Sequence, residues 1–146
     1  MSHVLFPILS GSLAYSIAQF IWYSPFWFGP AWRRTQGVSS ESVYQAAVAP
    51  GWVGRIVAGI IVPALLTSLA LVVLERMLDR SLPGAGVFIA ASLVLVVSVS
   101  APKYIRAAIS QHWPDPTVWL QDGALWFGVI AAAVAIVLSA NLKSNF

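Results

Sequence analysis

The 146-residue sequence contains no cysteine, and only 9% of its residues are charged. The absence of cysteine excludes disulfides, thiol nucleophiles and cysteine-ligated metals. Soluble domains are typically about 25% charged, so a chain with so few charges could not keep a compact body in water. Apolar residues make up 59% of the chain. We therefore expect lipid, rather than water, to be the solvent of this protein.

The sequence also has few histidines and only a small excess of charge of one sign. The two histidines, His3 and His112, lie near opposite predicted membrane surfaces. They cannot pair on one haem within a subunit, and they are too few for a zinc site, which needs roughly three to four ligands. The net charge is +3, and the basic residues are scattered instead of aligned, which argues against nucleic acid. The only acid–base set is His112, Asp115 and Asp122. We expect no enzyme, no catalytic residues, no metal and no cofactor.

Four long apolar runs dominate what is present. A membrane-spanning helix needs about 20 mostly apolar residues, and lipid-exposed backbone must satisfy its own hydrogen bonds, which favours helices. The sequence predicts an all-α polytopic membrane protein, with four transmembrane helices in a compact bundle forming a single domain, 1–146. The predicted spans are Val4–Tyr23, Trp52–Leu74, Gly84–Ala101 and Trp119–Ala140.

The connections between these spans are unequal. Loop one, 24–51, is the longest, and its middle, Ser39–Ala49, predicts a short helix in the membrane interface with Ser39 or Ser40 as N-cap. Pro102 is expected to end the third span, which makes loop three Pro102–Val118. With four spans, loops one and three share one side of the membrane and both termini share the other.

The side of loops one and three carries most of the unusual residues. Five basic residues there, against three on the other side, favour a cytoplasmic location by the positive-inside rule; they are Arg33, Arg34, Arg55, Lys103 and Arg106. Six of the seven tryptophans also lie there: Trp22, Trp27, Trp32, Trp52, Trp113 and Trp119. Tryptophan belts usually mark both surfaces. The asymmetry indicates either an aromatic belt with hydrophobic packing or a docking surface.

The segment after the first span carries a recognisable pattern. It reads Ile-Trp-Tyr-Ser-Pro at 21–25, Phe-Gly-Pro-Ala-Trp at 28–32, and then Gly37. This pattern resembles a bacterial membrane family catalogued as domain of unknown function 1761, whose members show Trp-Tyr-Ser-Pro followed by Phe-Gly-Lys-Ala-Trp. Proline stands at position 30 where the family usually has lysine. Asp-Gly at 122–123 also resembles the family's last segment. The resemblance implies a four-helix membrane protein and implies no activity.

The same pattern has a physical interpretation. Pro25 and Pro30 cannot continue a helix, and Gly29 allows a turn. Together they predict a rigid aromatic bend at the membrane surface, which either ends and anchors the first helix or forms the wall of a binding groove. The candidate interaction residues of this bend are Trp22, Tyr23, Pro25, Trp27, Phe28 and Trp32.

Polar residues inside the spans are few. Ser12, Tyr15, Ser16 and Gln19 share one face of the first helix, which predicts either interhelical hydrogen bonds or a polar lining for a solute path. Gln19 is the candidate site residue among them.

Two ionisable residues, Arg55 and Asp122, lie about one turn inside their helices on the same side. Intramembrane charges usually pair, so we predict an Arg55–Asp122 pair, with Arg33, Arg34 and Lys103 as rival partners of the carboxylate.

Small residues repeat at four-residue spacing in two spans. Ala124, Gly128 and Ala132 form one stripe, continued by Ala140, and Gly54 and Ala58 form another. Small residues let helix backbones approach closely, so these stripes predict packing within the bundle or between subunits. A third feature, Pro63 inside the second span, predicts a kink.

Two classes of function fit these observations. The favoured one is a structural or interaction protein of the bacterial inner membrane: a homo-oligomeric, self-associating bundle or an accessory subunit of a larger membrane complex, in contact with membrane lipid. The alternative is a small transporter or channel for a small solute or ion, which the polar face of the first helix, Pro63 and the Arg55–Asp122 candidates would serve.

Overall fold

The computed structural model describes residues 2–39, 41–42, 45, 49–79, 85–110 and 115–144, and no strand occurs among them. The helices are α1 (Ser2–Trp22), α2 (Gly29–Gln36), α3 (Trp52–Ile56, then a π-helix over Val57–Ile61, then Val62–Asp79), α4 (Ala85–Ser110) and α5 (Pro116–Ser144). Four of them, α1, α3, α4 and α5, are long and apolar enough to cross a membrane. The predicted all-α fold with four spans is confirmed.

The third span is longer than the sequence predicted. Helix α4 continues through Pro102 to Ser110, so the prediction that Pro102 ends it was wrong. A proline removes one backbone donor, and spanning helices tolerate this loss because neighbouring groups re-satisfy the freed carbonyl. Helix α5 likewise begins at Pro116, ahead of Trp119. The connection between α4 and α5 is therefore much shorter than predicted.

The middle of loop one is described only in part. The Ser39 hydroxyl accepts a hydrogen bond from the Ser42 backbone N–H at 3.1 Å, which is the geometry of a helix N-cap. Ser40 and most of the segment up to Ala49 lie outside the described residues, as does Trp113.

A π-helix precedes Pro63, where the sequence predicted a kink. Proline has no N–H to offer the carbonyl of Gly59, four residues earlier. One turn before the proline the helix widens, and the Val62 N–H bonds the Val57 carbonyl, five residues back. Such single-turn π segments commonly occur at functional positions in helices.

Helix α5 is the centre of the bundle. It packs along α1 and against α4, while α3 packs on α1 and contacts α4 and α5 less closely. The end of α1 meets the start of α5, so these two helices run antiparallel. The core is formed by Tyr15, Ala64, Leu71, Val72, Phe88, Val96, Val129, Ala132, Ala133 and Ile136.

The small-residue stripe of α5 faces α1. Ala124, Gly128 and Ala132 are buried, and a Cβ added at Gly128 would lie 2.6 Å from Gln19 Nε2 and 2.7 Å from Tyr15 Cε2. This stripe therefore packs within the bundle, as one interpretation predicted.

The other small residues face outward. Ala140, Gly54 and Ala58 are exposed, and a Cβ at Gly54 would meet nothing within 4 Å. Within the described part of the chain, no side chain packs on Gly54 of the α3 stripe.

Candidate functional site

The aromatic residues after α1 form a cluster with α5, here called the aromatic end. The Trp22 ring stacks on Phe28 with centroids 4.3 Å apart and lies 5.8 Å from Phe127 of α5. Trp27 meets Phe127 edge-on at 5.3 Å. The Trp22 indole N–H donates to the Leu120 carbonyl at 3.0 Å. Rings and a hydrogen bond therefore fasten the end of α1 to the start of α5.

The bend that carries these rings depends on Gly29. The Gly29 N–H donates to the Ser24 carbonyl at 3.1 Å. A Cβ at Gly29 would lie 2.3 Å from the Tyr23 carbonyl oxygen and 2.5 Å from that of Ser24. Glycine is therefore required here by a close backbone approach.

Helix α2 follows the bend immediately and was not predicted. Pro30 lies in its first turn, where a missing N–H costs nothing. Gly37 ends the helix with φ +63°, a left-handed conformation that favours glycine.

The outer surface of the bend is open. Phe26 is 97% exposed and Trp27 about half exposed, while Pro25 lies beside them in the turn. On the other flank Tyr23 and Trp32 meet edge-on at 5.6 Å. Desolvation raises the pKa of the Tyr23 hydroxyl above its usual value. The bend presents a fixed apolar surface where it leaves the bundle.

The polar face of α1 points into the bundle. Ser12, Tyr15, Ser16 and Gln19 are all buried. Gln19 Nε2 donates to the Ala124 carbonyl of α5 at 2.7 Å. The Ser12 hydroxyl bonds the Ile8 carbonyl of its own helix and also lies 3.4 Å from the Ala64 carbonyl of α3. These contacts agree with the interhelical hydrogen-bonding interpretation of this face.

Asp122 is buried in α5, and α4 supplies its partners. Lys103 Nζ donates to one carboxylate oxygen at 2.8 Å, and the Tyr104 hydroxyl donates to the other at 2.8 Å. The predicted Arg55–Asp122 pair was wrong, and the rival partner Lys103 takes the carboxylate. The reason is geometric: α4 continues past Pro102 and carries Lys103 alongside α5, whereas Arg55 is exposed in the first turns of α3, which contacts α5 less closely.

Two further polar groups have structural roles that the sequence analysis missed. The Trp126 indole N–H donates to the Ser100 hydroxyl at 3.0 Å, which joins α5 to α4. Asp115 accepts hydrogen bonds from the backbone N–H and the hydroxyl of Thr117, both at 2.9 Å. The backbone bond, more than the hydroxyl bond, lowers the pKa of Asp115. Asp115 therefore caps α5.

The acid–base set considered from the sequence is described only in part. His112 lies outside the described residues. Among the residues that the structure does describe, no group of at least three histidines or carboxylates is placed to hold a metal ion.

Two cavities open on the α4 side of the bundle. An apolar groove of about 240 Å³ runs between α3 and α4, with α5 as its floor. A second cavity of about 310 Å³ lies between α4 and the start of α5, and is lined by Pro102, Lys103, Arg106 and Val118. The first offers apolar contact and the second offers positive charge.

Comparison with known proteins identifies no relative: no family model, curated protein or solved structure matches this chain. The resemblance of segment 21–37 to the family of domain of unknown function 1761 stays a prediction.

Proposed function

We propose that this chain is an interaction protein of the bacterial inner membrane, working as a self-associating bundle or as an accessory subunit of a larger membrane complex. The observation that carries this proposal is that the polar groups inside the bundle bond to neighbouring helices. Gln19 bonds the backbone of α5, Asp122 binds Lys103 and Tyr104, and Trp126 bonds Ser100. Each of these contacts joins two helices of the bundle.

The outer face of α3 supports the same proposal. Gly54 and Ala58 are exposed there, and a side chain on Gly54 would meet nothing within 4 Å. Helices associate in lipid through close packing at small residues. This face therefore has the composition of a helix–helix contact without a partner helix from the described part of this chain.

A purification from native membranes in mild detergent tests the proposal. We expect either a homo-oligomer or a stoichiometric partner, detected by cross-linking and mass measurement. Gly54→Leu should reduce that association by blocking close approach. Gly86→Leu is the matched control, because Gly86 is also exposed in a spanning helix and also has nothing within 4 Å. A monomer without any partner would contradict the proposal.

A small transporter is the second candidate, and two observations favour it. Within the described residues, the Ser68 hydroxyl is buried without a hydrogen-bond partner. The π-helix of α3 lies about two turns from it. Reconstituted vesicles test this candidate with dyes that report proton and potassium flux. If wild-type vesicles show a flux, and Ser68→Ala abolishes it without lowering thermal stability, transport becomes the favoured function.

A further inference from the structure

The two cavities on the α4 side are aligned along the same helix faces. Leu95 and Val99 line the apolar groove, and Pro102 and Arg106 line the basic cavity. Their spacing of four, three and four residues places all of them on one face of α4. Across from them, Val118 of α5 lines the basic cavity and Leu125 the groove. The apolar groove therefore lies next to the basic cavity, here called the mouth, along the same helix faces.

The mouth lies at the level of the membrane surface. Val118 is in the first turn of α5, and the neighbouring Trp119 is about half exposed, as interfacial tryptophans are. From Arg106 to Val99 is about 10 Å along the helix axis, at a rise of about 1.5 Å per residue. The groove therefore begins below the headgroup layer, at the depth of acyl chains.

Among the described residues that line the mouth, taken with Asp122, positive charges outnumber negative charges by one. Lys103 and Arg106 contribute two positive charges, and Asp122, which binds Lys103 at 2.8 Å, contributes one negative charge. Lys103 remains about half exposed, and Arg106 is exposed. A singly charged phosphate completes this arrangement, because planar guanidinium groups and ammonium groups both bind phosphate oxygens.

The size of the groove indicates what kind of apolar group it can hold. A helix with its side chains is about 10–12 Å across, so a groove of about 240 Å³ is too small to enclose a helix from a second copy or a partner. An acyl chain is thinner than a helix, and its methylene groups match the apolar lining of the groove. We propose that this face is a specific site for one anionic phospholipid, with its phosphate on Lys103 and Arg106 and an acyl chain between α3 and α4.

This inference goes beyond the proposed function and does not depend on it, because a monomer would bind the lipid equally well. Native mass spectrometry of the detergent-purified protein tests it, with equimolar phosphatidylglycerol and phosphatidylcholine of identical acyl chains. We expect the monomer peak to retain one phosphatidylglycerol with a preference of about fivefold, the contribution of one basic residue near a lipid surface. Equal retention of the two lipids would overturn the proposal.

Two matched pairs of variants test the two halves of the site. Arg106→Gln should remove the preference for phosphatidylglycerol, whereas Arg34→Gln, which removes an exposed charge outside the cavity, should not. Val99→Phe should fill the groove and reduce lipid retention. Val94→Phe is its control, because Val94 is equally exposed on α4 but lines neither cavity.

Two other outcomes would also overturn the proposal. Competition by free glycerol phosphate would indicate a phosphate site without a role for the acyl chain. A loss of dimer with unchanged lipid retention in Val99→Phe would assign the groove to a second copy of the chain.

Discussion

The two sides of α5 are built differently. Toward α1 it presents Ala124, Gly128 and Ala132, and the two helices pack so closely that a Cβ on Gly128 would overlap Tyr15. The boundary of α3 and α4, lined by bulkier residues such as Leu95, stays open as a groove. Lipid tails are as apolar as leucine, so hydrophobicity alone does not close either region. Packing at small residues decides which helices close in a membrane.

Gly128→Ala should have the largest effect, because it forces α1 and α5 apart. Overpacking of this kind costs about 1–3 kcal/mol, and the shift would also break the hydrogen bond of Gln19 to Ala124. Thermal unfolding in detergent measures the loss. Gly54→Ala is the control, since its added methyl meets nothing within 4 Å. Equal stability of the two variants would remove the distinction between the tight and open regions.

Lys103→Met should destabilise the protein more than Asp122→Asn does. Without Lys103 the buried carboxylate keeps only Tyr104 as its partner, and an undersatisfied buried group costs about 1–3 kcal/mol. Without the carboxylate, Lys103 still reaches water because it is about half exposed. The double variant should therefore resemble Asp122→Asn alone in a thermal unfolding experiment. Strictly additive losses would mean that the two side chains do not interact.

Gly29→Ala should destabilise the packing of the aromatic end by about 1 kcal/mol or more, because steric overlap at a constrained position has this cost. Its Cβ would fall on the carbonyl oxygens of Tyr23 and Ser24. We expect faster cleavage after Arg33 in limited proteolysis. Gly86→Ala, which adds a methyl in open space, serves as the control and should be cleaved like the wild type. Unchanged cleavage of Gly29→Ala would show that the bend does not need the close approach.

Asp115→Ala should have the smallest effect, a slight fraying of the first turn of α5. The folded state lowers the pKa of Asp115, so its contribution to stability is present above the ordinary value of 3.8 and is lost as the pH falls through the lowered pKa. The stability difference between wild type and variant should therefore shrink below pH 3.8. Amide exchange of Thr117 measures the fraying. A difference that grows on acidification would contradict the capping role.

Local patterns predicted the features that local physics controls. The lengths of the apolar runs predicted four spans. The spacing of Ala124, Gly128 and Ala132 predicted close packing within the bundle or between subunits, and the structure buries these three residues within the bundle. Helix α2 could also have been predicted, because Pro30 and Gly37 occupy the first turn and the end typical of a helix. The Asp-Pro-Thr sequence at 115–117 likewise carries the signature of an N-cap.

The partner of Asp122 could not be predicted in the same way. It depends on which helix lies beside α5 and on whether α4 survives Pro102. Both are decided by packing between distant segments, since Tyr104 and Lys103 reach the carboxylate only after α4 has docked. The open groove between α3 and α4 is a distance between helices, and no sequence pattern in either helix encodes it.

Both regions of this comparison require loop one and the start of α5 to lie on one side of the membrane, and labelling of single cysteines tests this requirement most directly. The chain has no cysteine of its own, so one can be placed at Ser2, Ser39, Ser110 or Ser144 without background. A membrane-impermeant maleimide is applied to sealed vesicles. Cysteines at positions 2 and 144 should react from the same side of the membrane, and cysteines at positions 39 and 110 should react from the other side. Ser2 and Ser144 on opposite sides would contradict the four-span arrangement, and with it both the α1–α5 contact and the lipid site.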